Sequence, residues 1–274
     1  MSLSPDVLII TVNYHTETEV KTLIGSLVRQ AVPWELVILD NGSTRAGRLI
    51  LDRATAANPA VRYRECGSNL GYFGAADSFV RCLTRNLPNR GMPDWLILTN
   101  PDVTWADDFL ERLVAVDADV VAPRILDAGS GRDLNPFMEK RPSLSYVRSR
   151  RLVFSNPVIA QAWITVSWLT RRLRQPEILP PTPRPIYAAH GAVMAFRKTY
   201  FESSGSLYHE PFLFGEEVTV GERVRAIGGR VYYAPTVVAT HTGHVTTGIR
   251  RSRMLLSYQR DSARYVERLI REGS

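Results

Sequence analysis

Two stretches, far apart in the chain, carry side chains that would be useful together. Residues 96–103 (LILTNPDV) are an apolar run that ends in Asn100-Pro101-Asp102. Residues 212–229 (FLFGEEVTVGERVRAIGG) run from an aromatic cluster into two adjacent carboxylates, Glu216 and Glu217, at the start of a helical pattern. The first places Asp102 just past a buried strand, where open α/β sheets bind ligands. The second offers a base. A carboxylate that holds a divalent metal and another that accepts a proton are the minimum equipment for displacing a nucleoside diphosphate from a sugar. Pro101 removes a backbone donor and stiffens the strand exit, fixing the directions of Asn100 and Asp102. Oxygen-rich sites of this kind suit magnesium or manganese, with the protein giving one or two carboxylates and a diphosphate the rest.

Each of these residues also has a purely structural reading. Asp102 would serve equally as the cap of a helix entered at Thr104 to Ala106. Glu216 and Glu217 sit where a helix dipole favours acids, and the same dipole would keep a catalytic carboxylate ionised at neutral pH. Neighbours on a helix point about 100° apart, so one glutamate can face a site while the other takes Arg223 or a backbone donor.

Further candidates lie at other strand ends. Asp40 closes an apolar run and precedes Asn41-Gly42-Ser43, so it is either a ligand for a base or ribose or simply a turn former. Thr11 and Asn13 end the first run on the same edge. Residues 68–77 (SNLGYFGAAD) lead from a strand into a helix. The small residues there would let the backbone approach a phosphate, with Asn69 and Gly71 at the turn. His241 and His244, in THTGH, offer a third metal ligand or a diphosphate donor. His190, before Gly191-Ala192, is a candidate for the acceptor side.

The elements needed to hold these groups are legible as alternating strands and helices. Strand patterns cover 7–14 (VLIITVNY), 35–40 (ELVILD), 61–66 (VRYREC), 95–100 (WLILTN) and 119–126 (DVVAPRIL). Between them fall a helix capped by Thr16 with Val20, Leu23, Ile24, Leu27 and Val28 on one face, and a second helical stretch through Asn58. A third carries Phe79, Val80 and Leu83, and a fourth, from about Ala106, carries Phe109, Leu110, Leu113 and Val114. This repeated order predicts an α/β fold with a mostly parallel central sheet and helices on both faces. The pattern resumes with 192–198 (AVMAFRK), the glutamate helix, two strands at 230–235 and 237–241, and an amphipathic helix from about Met254 to Ile270.

The division this suggests is 1–126 as a nucleotide-binding half, 127–185 as an Arg/Pro-rich insertion and 186–274 as an acceptor and catalytic half. The insertion holds an apolar middle, 153–169 (VFSNPVIAQAWITVSWL), between VRSRR and RRLR. Ser155, Asn156, Pro157 and Gln161 interrupt it too often for a membrane span. It either packs on its own domain or lies on an anionic bilayer surface. A net charge of +7, nearly all from Arg, favours polyanions such as nucleoside diphosphates or anionic headgroups. No basic helix or aromatic-interleaved motif argues for nucleic acid. Two cysteines make no disulfide framework, and the start of the chain has no basic leader or cleavage site. Together these suggest a cytoplasmic protein, peripheral at the inner membrane face if the insertion docks there.

The ordered set VNY (12–14), LDNGS (39–43), NLGYFGAAD (69–77), TNPDV (99–103), HGAVMAFRK (190–198), FLFGEE (212–217), GERVRAIGGRVYYAP (221–235) and THTGH (240–244) resembles the inverting family 2 glycosyltransferases. The likeness is strongest to the bacterial rhamnosyltransferase-like branch that builds surface polysaccharides. It implies a GT-A fold, a nucleoside-diphosphate-sugar donor, a glycan or lipid-linked acceptor and a divalent metal, manganese or magnesium. By this resemblance Asp40 contacts the nucleoside, with Thr11 and Asn13 lining its pocket. Asp102 carries the metal, His241 helps hold metal or diphosphate, and the carboxylate after Glu216 is the base. Two departures stand out. Asn100 replaces the first carboxylate of a DxD-like motif, and the usual Glu-Asp pair reads Glu216-Glu217. A sugar nucleotidyltransferase would carry a glycine-rich basic loop after the first strand, where this chain has VNYHTETEV (12–20). A non-catalytic subunit that kept the fold is the third alternative.

Overall fold

The computed structural model describes residues 6–86, 91–173, 181–243 and 252–273. Its first half is laid down as strand, helix, strand: β1 (Val7–Asn13), α1 (Glu17–Leu27), β2 (Glu35–Asp40), α2 (Arg45–Ala56), β3 (Val61–Glu65), α3 (Tyr72–Asn86) and β4 (Trp95–Thr99). These four strands are parallel neighbours in the order β3-β2-β1-β4. Alternation along β1 assigns its side chains to two layers. Val7 and Ile9 pack with Val20, Leu23 and Leu27 of α1, while Leu8, Ile10 and Val12 pack with Phe73, Ala76 and Val80 of α3. A strand buried on both faces has to be apolar throughout, which is why β1 reads as an unbroken run.

Beyond β4 the sheet changes character. β5 (Val103–Trp105), α4 (Phe109–Val114) and β6 (Val120–Asp127) come next in the chain, then, after the helical insertion, β7 (Arg184–Ile186), β8 (Val193–Arg197), α7 (Lys198–Glu202), α8 (Glu216–Ala226), β9 (Val231–His241) and α9 (Arg253–Glu272). The sheet continues β4-β8-β6-β9-β5, with β7 also on β9. β8 runs antiparallel to β4 and β6, and β5 and β7 antiparallel to β9, while β6 and β9 are parallel. The predicted mostly parallel α/β sheet is therefore present, with antiparallel strands threaded into its second half.

Two local expectations are corrected. Val103 to Trp105 form a strand and not the entry to a helix, because Val103 and Trp105 alternate into the core at 0% and 2% exposure. Asp102 is thus no helix cap. It stands at the turn into β5, where Val103 pairs with His241. The two strands expected at 230–235 and 237–241 are one strand, β9, whose register against β6 jumps from Ala234 to Val238. Pro235 in the jump has no N–H to give the ladder, so a bulge absorbs it.

The insertion holds two helices, α5 (Leu144–Ser155) and α6 (Pro157–Leu173), bent by 118° at their junction. Among the described residues no single helix is long and apolar enough to cross a membrane. Val147 of α5 packs with Val218 of α8 and Ile270 of α9. An ionic clamp ties the insertion's root to the same helices. The Arg141 guanidinium forks onto Glu222 at 2.7 and 2.9 Å and donates to the Ile270 carbonyl, and Tyr187 donates its hydroxyl to Glu222.

Candidate active site

Asp40 ends β2 as expected, but it is 2% exposed and its carboxylate is fully engaged. Asn13 Nδ2 donates to it at 3.0 Å, Ser43 donates through its hydroxyl at 2.7 Å and its amide at 3.0 Å, and Tyr63 donates its hydroxyl at 2.9 Å. Burial pushes the Asp40 pKa up, and the hydrogen bonds from Ser43, Asn13 and Tyr63 outweigh it, so the net shift is downward. Asn13 is itself enclosed, with its Oδ1 accepting from the Thr16 amide and hydroxyl. Thr16 therefore turns its hydroxyl back to β1 and gives helix α1 no side-chain cap. Thr11 lies deeper in the sheet, wholly buried, between Ile38 and Thr99. Thr11, Asn13 and Asp40 are all buried at or near the carboxyl ends of β1 and β2.

The turn at 69–72 reaches across to the second half. Gly71 has φ +75°, and a Cβ there would meet the Phe212 carbonyl oxygen at 2.4 Å, so only glycine allows the two loops to touch. Asn69 Oδ1 accepts from the Gly71 amide, and Asn41 Nδ2 donates to the Gly71 carbonyl. Tyr72 then donates its hydroxyl to the Gly191 carbonyl at 3.0 Å. Burial pushes the phenol pKa well up, and the charges of Glu216, Asp102 and Glu217 push it the same way. The segment Gly191-Ala192 joins the two stretches, since Glu217 faces Gly191 and the Asn100 amide donates to the Ala192 carbonyl.

Glu216 and Glu217 open α8. Glu216 is 7% exposed and turns back to accept from the Phe214 amide at 3.0 Å. Glu217 points instead at Gly191, where a Cβ would lie 3.1 Å from its Oε1. Burial, reinforced by the charge of Glu217, raises the Glu216 pKa, and burial raises that of Glu217. The dipole at the start of α8 was expected to keep these acids readily ionised, and desolvation overrides it. The pair holds a proton more tightly than exposed glutamates would. Glu216 is the more enclosed member and accepts from the Phe214 amide, while Glu217 faces Gly191.

The loop before α8 is held by a histidine that the sequence reading did not single out. Phe214 and Gly215 adopt φ of 73° and 93°, an uncommon conformation for the phenylalanine. His209 Nε2 donates to the Phe214 carbonyl, and Nδ1 contacts the Thr219 hydroxyl at 2.9 Å. A carbonyl can only accept, so the ring carries its proton on Nε2, and the threonine donates to Nδ1. Burial holds His209 down to a pKa of about 4, consistent with a neutral strut. The Tyr-His-Glu-Pro run just upstream of FLFGEE was its available signal.

Asp102 and His241 face each other across β5 and β9, with Oδ1 and Nε2 3.2 Å apart. The Asp102 carbonyl accepts from the Thr242 amide and hydroxyl. The His190 ring lies 6.2 Å from that of His241, its amide donates to the buried Asn135 side chain, and its Nδ1 accepts from Ala192. Asn100 is anchored through its amide to the Ala192 carbonyl. His244 lies outside the described residues. Among the described residues, no three His, Cys, Asp or Glu side chains form a ready metal cage. One carboxylate oxygen and one imidazole nitrogen about 3 Å apart nonetheless fit two adjacent positions on a divalent ion whose other ligands come from a diphosphate and water. Asn135 and Tyr63 were also missed, and Asn41 and Ser43 were read only as the turn after Asp40. Their roles depend on contacts between distant segments, which spacing does not reveal.

The mostly parallel sheet with carboxylates gathered near the carboxyl ends of its strands is the α/β arrangement of a GT-A fold. The family model for glycosyl transferase family 2 matches residues 6–203. The chain belongs to that family, and it is a glycosyltransferase. It is 28% identical over 249 residues, 88% of this chain and 77% of the relative, to an N-acetylglucosaminyl-diphospho-decaprenol L-rhamnosyltransferase of Mycobacterium tuberculosis. Among solved structures, it resembles a mannosyltransferase from Pyrobaculum calidifontis in complex with GDP-Man and Mn2+. The TM-score is 0.54 at 15% identity, covering 99% of this chain and 74% of the other. It also resembles TarS of S. aureus, residues 1–349, with a TM-score of 0.55 at 13% identity, covering 87% and 60%. At such identities these structures establish the GT-A fold alone.

Proposed function

We propose that this protein transfers a sugar with inversion from a nucleoside-diphosphate-sugar to a lipid-diphosphate-linked acceptor, with Glu217 as general base. The observation that carries this reading is a chain of contacts around Gly191: Glu217 faces it, Tyr72 donates to its carbonyl, and the neighbouring His190 ring lies beside His241, which faces Asp102. The acceptor class is drawn from the mycobacterial relative, whose name specifies a diphospho-decaprenol acceptor. Membership of the transferase family weighs against the nucleotidyltransferase alternative.

In the proposed step Glu217 takes the proton of an acceptor hydroxyl as its oxygen attacks the anomeric carbon. The bond from that carbon to the diphosphate oxygen breaks on the opposite face, and its electron pair leaves with the nucleoside diphosphate. One displacement inverts the configuration and needs no covalent intermediate. The two carboxylates titrate as a pair, and the base role is given to Glu217 because its oxygen faces Gly191 while Glu216 accepts from the Phe214 amide. Asp102 and His241 would hold a divalent cation, which when bound neutralises charge on the departing diphosphate. The loop at Asn69 and Gly71 closes the site from the nucleotide side.

General-base assistance typically contributes about 10²–10⁴ in rate. Glu217→Gln is expected to lose at least about a hundredfold in turnover while still binding nucleotide, and Glu216→Gln is expected to lose much less. The reverse ranking would give the base role to Glu216. No transfer or donor hydrolysis by the parent enzyme, with manganese and UDP-, TDP- or GDP-sugars, would favour a non-catalytic assembly role. Asp102→Ala is expected to weaken manganese-dependent nucleoside diphosphate binding in calorimetry, and equal affinities for variant and parent would remove Asp102 from the metal site.

A further inference from the structure

A cavity of about 970 Å³ runs from the glutamate pair into the helical insertion. Its walls come from α5, α6, the start of α8 and the middle of α9, and His190 borders it beside Glu216 and Glu217. This is the volume of a ligand-sized site, and most of its lining on the insertion side is apolar.

Three features of this cavity are unused by the nucleotide half. The first is Arg150. On the same helix Arg148 and Arg151 both reach the carboxylate of Glu267. The Arg150 guanidinium instead lies over two aromatic rings, 4.4 Å from the centroid of Trp163 and 4.9 Å from that of Phe154. Among the described residues it has no carboxylate partner. A flat cation fixed on aromatic faces and bordering a cavity presents its N–H groups to an incoming anion, and its fork geometry suits phosphate. The second is Gln259 of α9, whose buried side-chain oxygen has no donor among the described residues. An unsatisfied buried amide is costly unless a ligand group completes it. The third is exposed apolar surface on the two helices that wall the cavity. Leu152, Val158, Ile159, Val166 and Leu169 on α5 and α6 are exposed by 47% to 76%.

The geometry points to this cavity as the acceptor site, built for an amphiphile that carries a phosphate between its sugar and an apolar chain. The sugar hydroxyl lies at Glu217, with Gln259 accepting from a second hydroxyl. Arg150 pairs with the phosphate, and Phe154, Trp163 and Trp168 take the first carbons of the chain. A long chain exceeds the cavity and leaves along the exposed apolar residues of α5 and α6. No carboxylate on α5 or α6 borders the cavity to repel the phosphate, since the acids that line it are Glu216 and Glu217.

This inference rests on the transferase reading, and its test separates the two. The full-length protein is titrated with farnesyl diphosphate, inorganic diphosphate and farnesol, and binding is followed calorimetrically and by tryptophan emission. Nucleotide-sugar binding is measured in parallel. Farnesyl diphosphate is expected to bind at least about tenfold more tightly than either fragment and to perturb tryptophan emission, because Trp163 and Trp168 line the cavity. Arg150→Ala is expected to weaken it by at least about tenfold, and Arg150→Lys, which keeps the charge but not the fork, by less. Inorganic diphosphate binding as tightly as farnesyl diphosphate would assign the signal to the donor's diphosphate site and overturn the inference. So would an unchanged affinity in Arg150→Ala. Nucleotide-sugar binding without any farnesyl diphosphate binding sinks the acceptor site alone, whereas failure to bind any nucleotide-sugar sinks the transferase reading beneath it.

Discussion

Two groups of buried carboxylates sit at the same edge of one sheet and are held in opposite electrostatic states. Asp40 is enclosed by donors from Asn13, Ser43 and Tyr63, which hold its pKa below the ordinary value despite burial. Glu216 and Glu217 are enclosed with few donors and with each other, and their pKa values rise. Burial alone therefore says little about what a carboxylate does. The count of hydrogen bonds to its charged form decides whether it is a permanent anion that organises structure or a proton acceptor with strength in reserve.

The largest expected effect breaks the first group. Asp40→Ala would leave the Ser43 amide and the Tyr63 hydroxyl without their acceptor, while Asn13 keeps Ser43 and the Ser43 hydroxyl keeps Glu17. A stability loss of at least about 2 kcal/mol is expected in urea unfolding, since each stranded buried donor costs about 1–3 kcal/mol. The Asp40 contribution also carries a pH signature. Its folded pKa lies below the unfolded value, so the stabilisation is present above that value and is lost as pH falls through the folded pKa, below about pH 4. A loss under about 1 kcal/mol would show that Asp40 is not the hub of this edge but an accessible ligand for a nucleoside.

A smaller effect, of opposite sign, is expected of the glutamate pair. Glu216 has a raised folded pKa, so its stabilisation is complete below the unfolded value near 4.5 and is lost as pH rises through the folded value. Glu216→Gln removes that dependence. The variant should match the parent near pH 4 and exceed its melting temperature near pH 8, by roughly 2–4 °C for each kcal/mol recovered in a chain of this size. A parent and variant whose melting temperatures stay parallel from pH 4 to 8 would mean that the pair is ordinarily ionised, and the contrast with Asp40 would collapse.

The same contrast explains what the sequence made legible. Strands β1, β2 and β4 were readable because burial on both faces demands unbroken apolar runs, and the glutamate pair was readable because adjacent acids at a helix start are conspicuous. Asp40 was visible as a residue, while its state was not. Tyr63 lies one strand away, and Asn13 lies at the end of β1, so the donors that fix its charge are neighbours only after the sheet forms. His209 escaped for a similar reason, since its two partners are a backbone carbonyl and a threonine one helical turn into α8. Strand β5 was misread because three residues are too few to display a period, and a helix-like pattern begins directly after them. The antiparallel entry of β8 between β4 and β6 left no local mark at all.

The smallest expected effect falls where the two regions touch. The Tyr72 hydroxyl donates to the Gly191 carbonyl, on the residue whose missing Cβ gives Glu217 its room. Its raised pKa keeps it protonated, so at any working pH it is a neutral donor among three carboxylates. If it serves only to pin the loop at 69–72 to the segment before β8, Tyr72→Phe loses one hydrogen bond. That is about 1 kcal/mol of stability, with turnover reduced less than about tenfold. Because the change removes only the hydroxyl, the ring's packing survives and the hydrogen bond alone is tested. A turnover loss above about a hundredfold at unchanged stability would mean that the hydroxyl touches the reacting groups. The boundary between the structural edge and the glutamate pair would then run on the Asn69 side of Tyr72, and the phenol would join the proposed base Glu217.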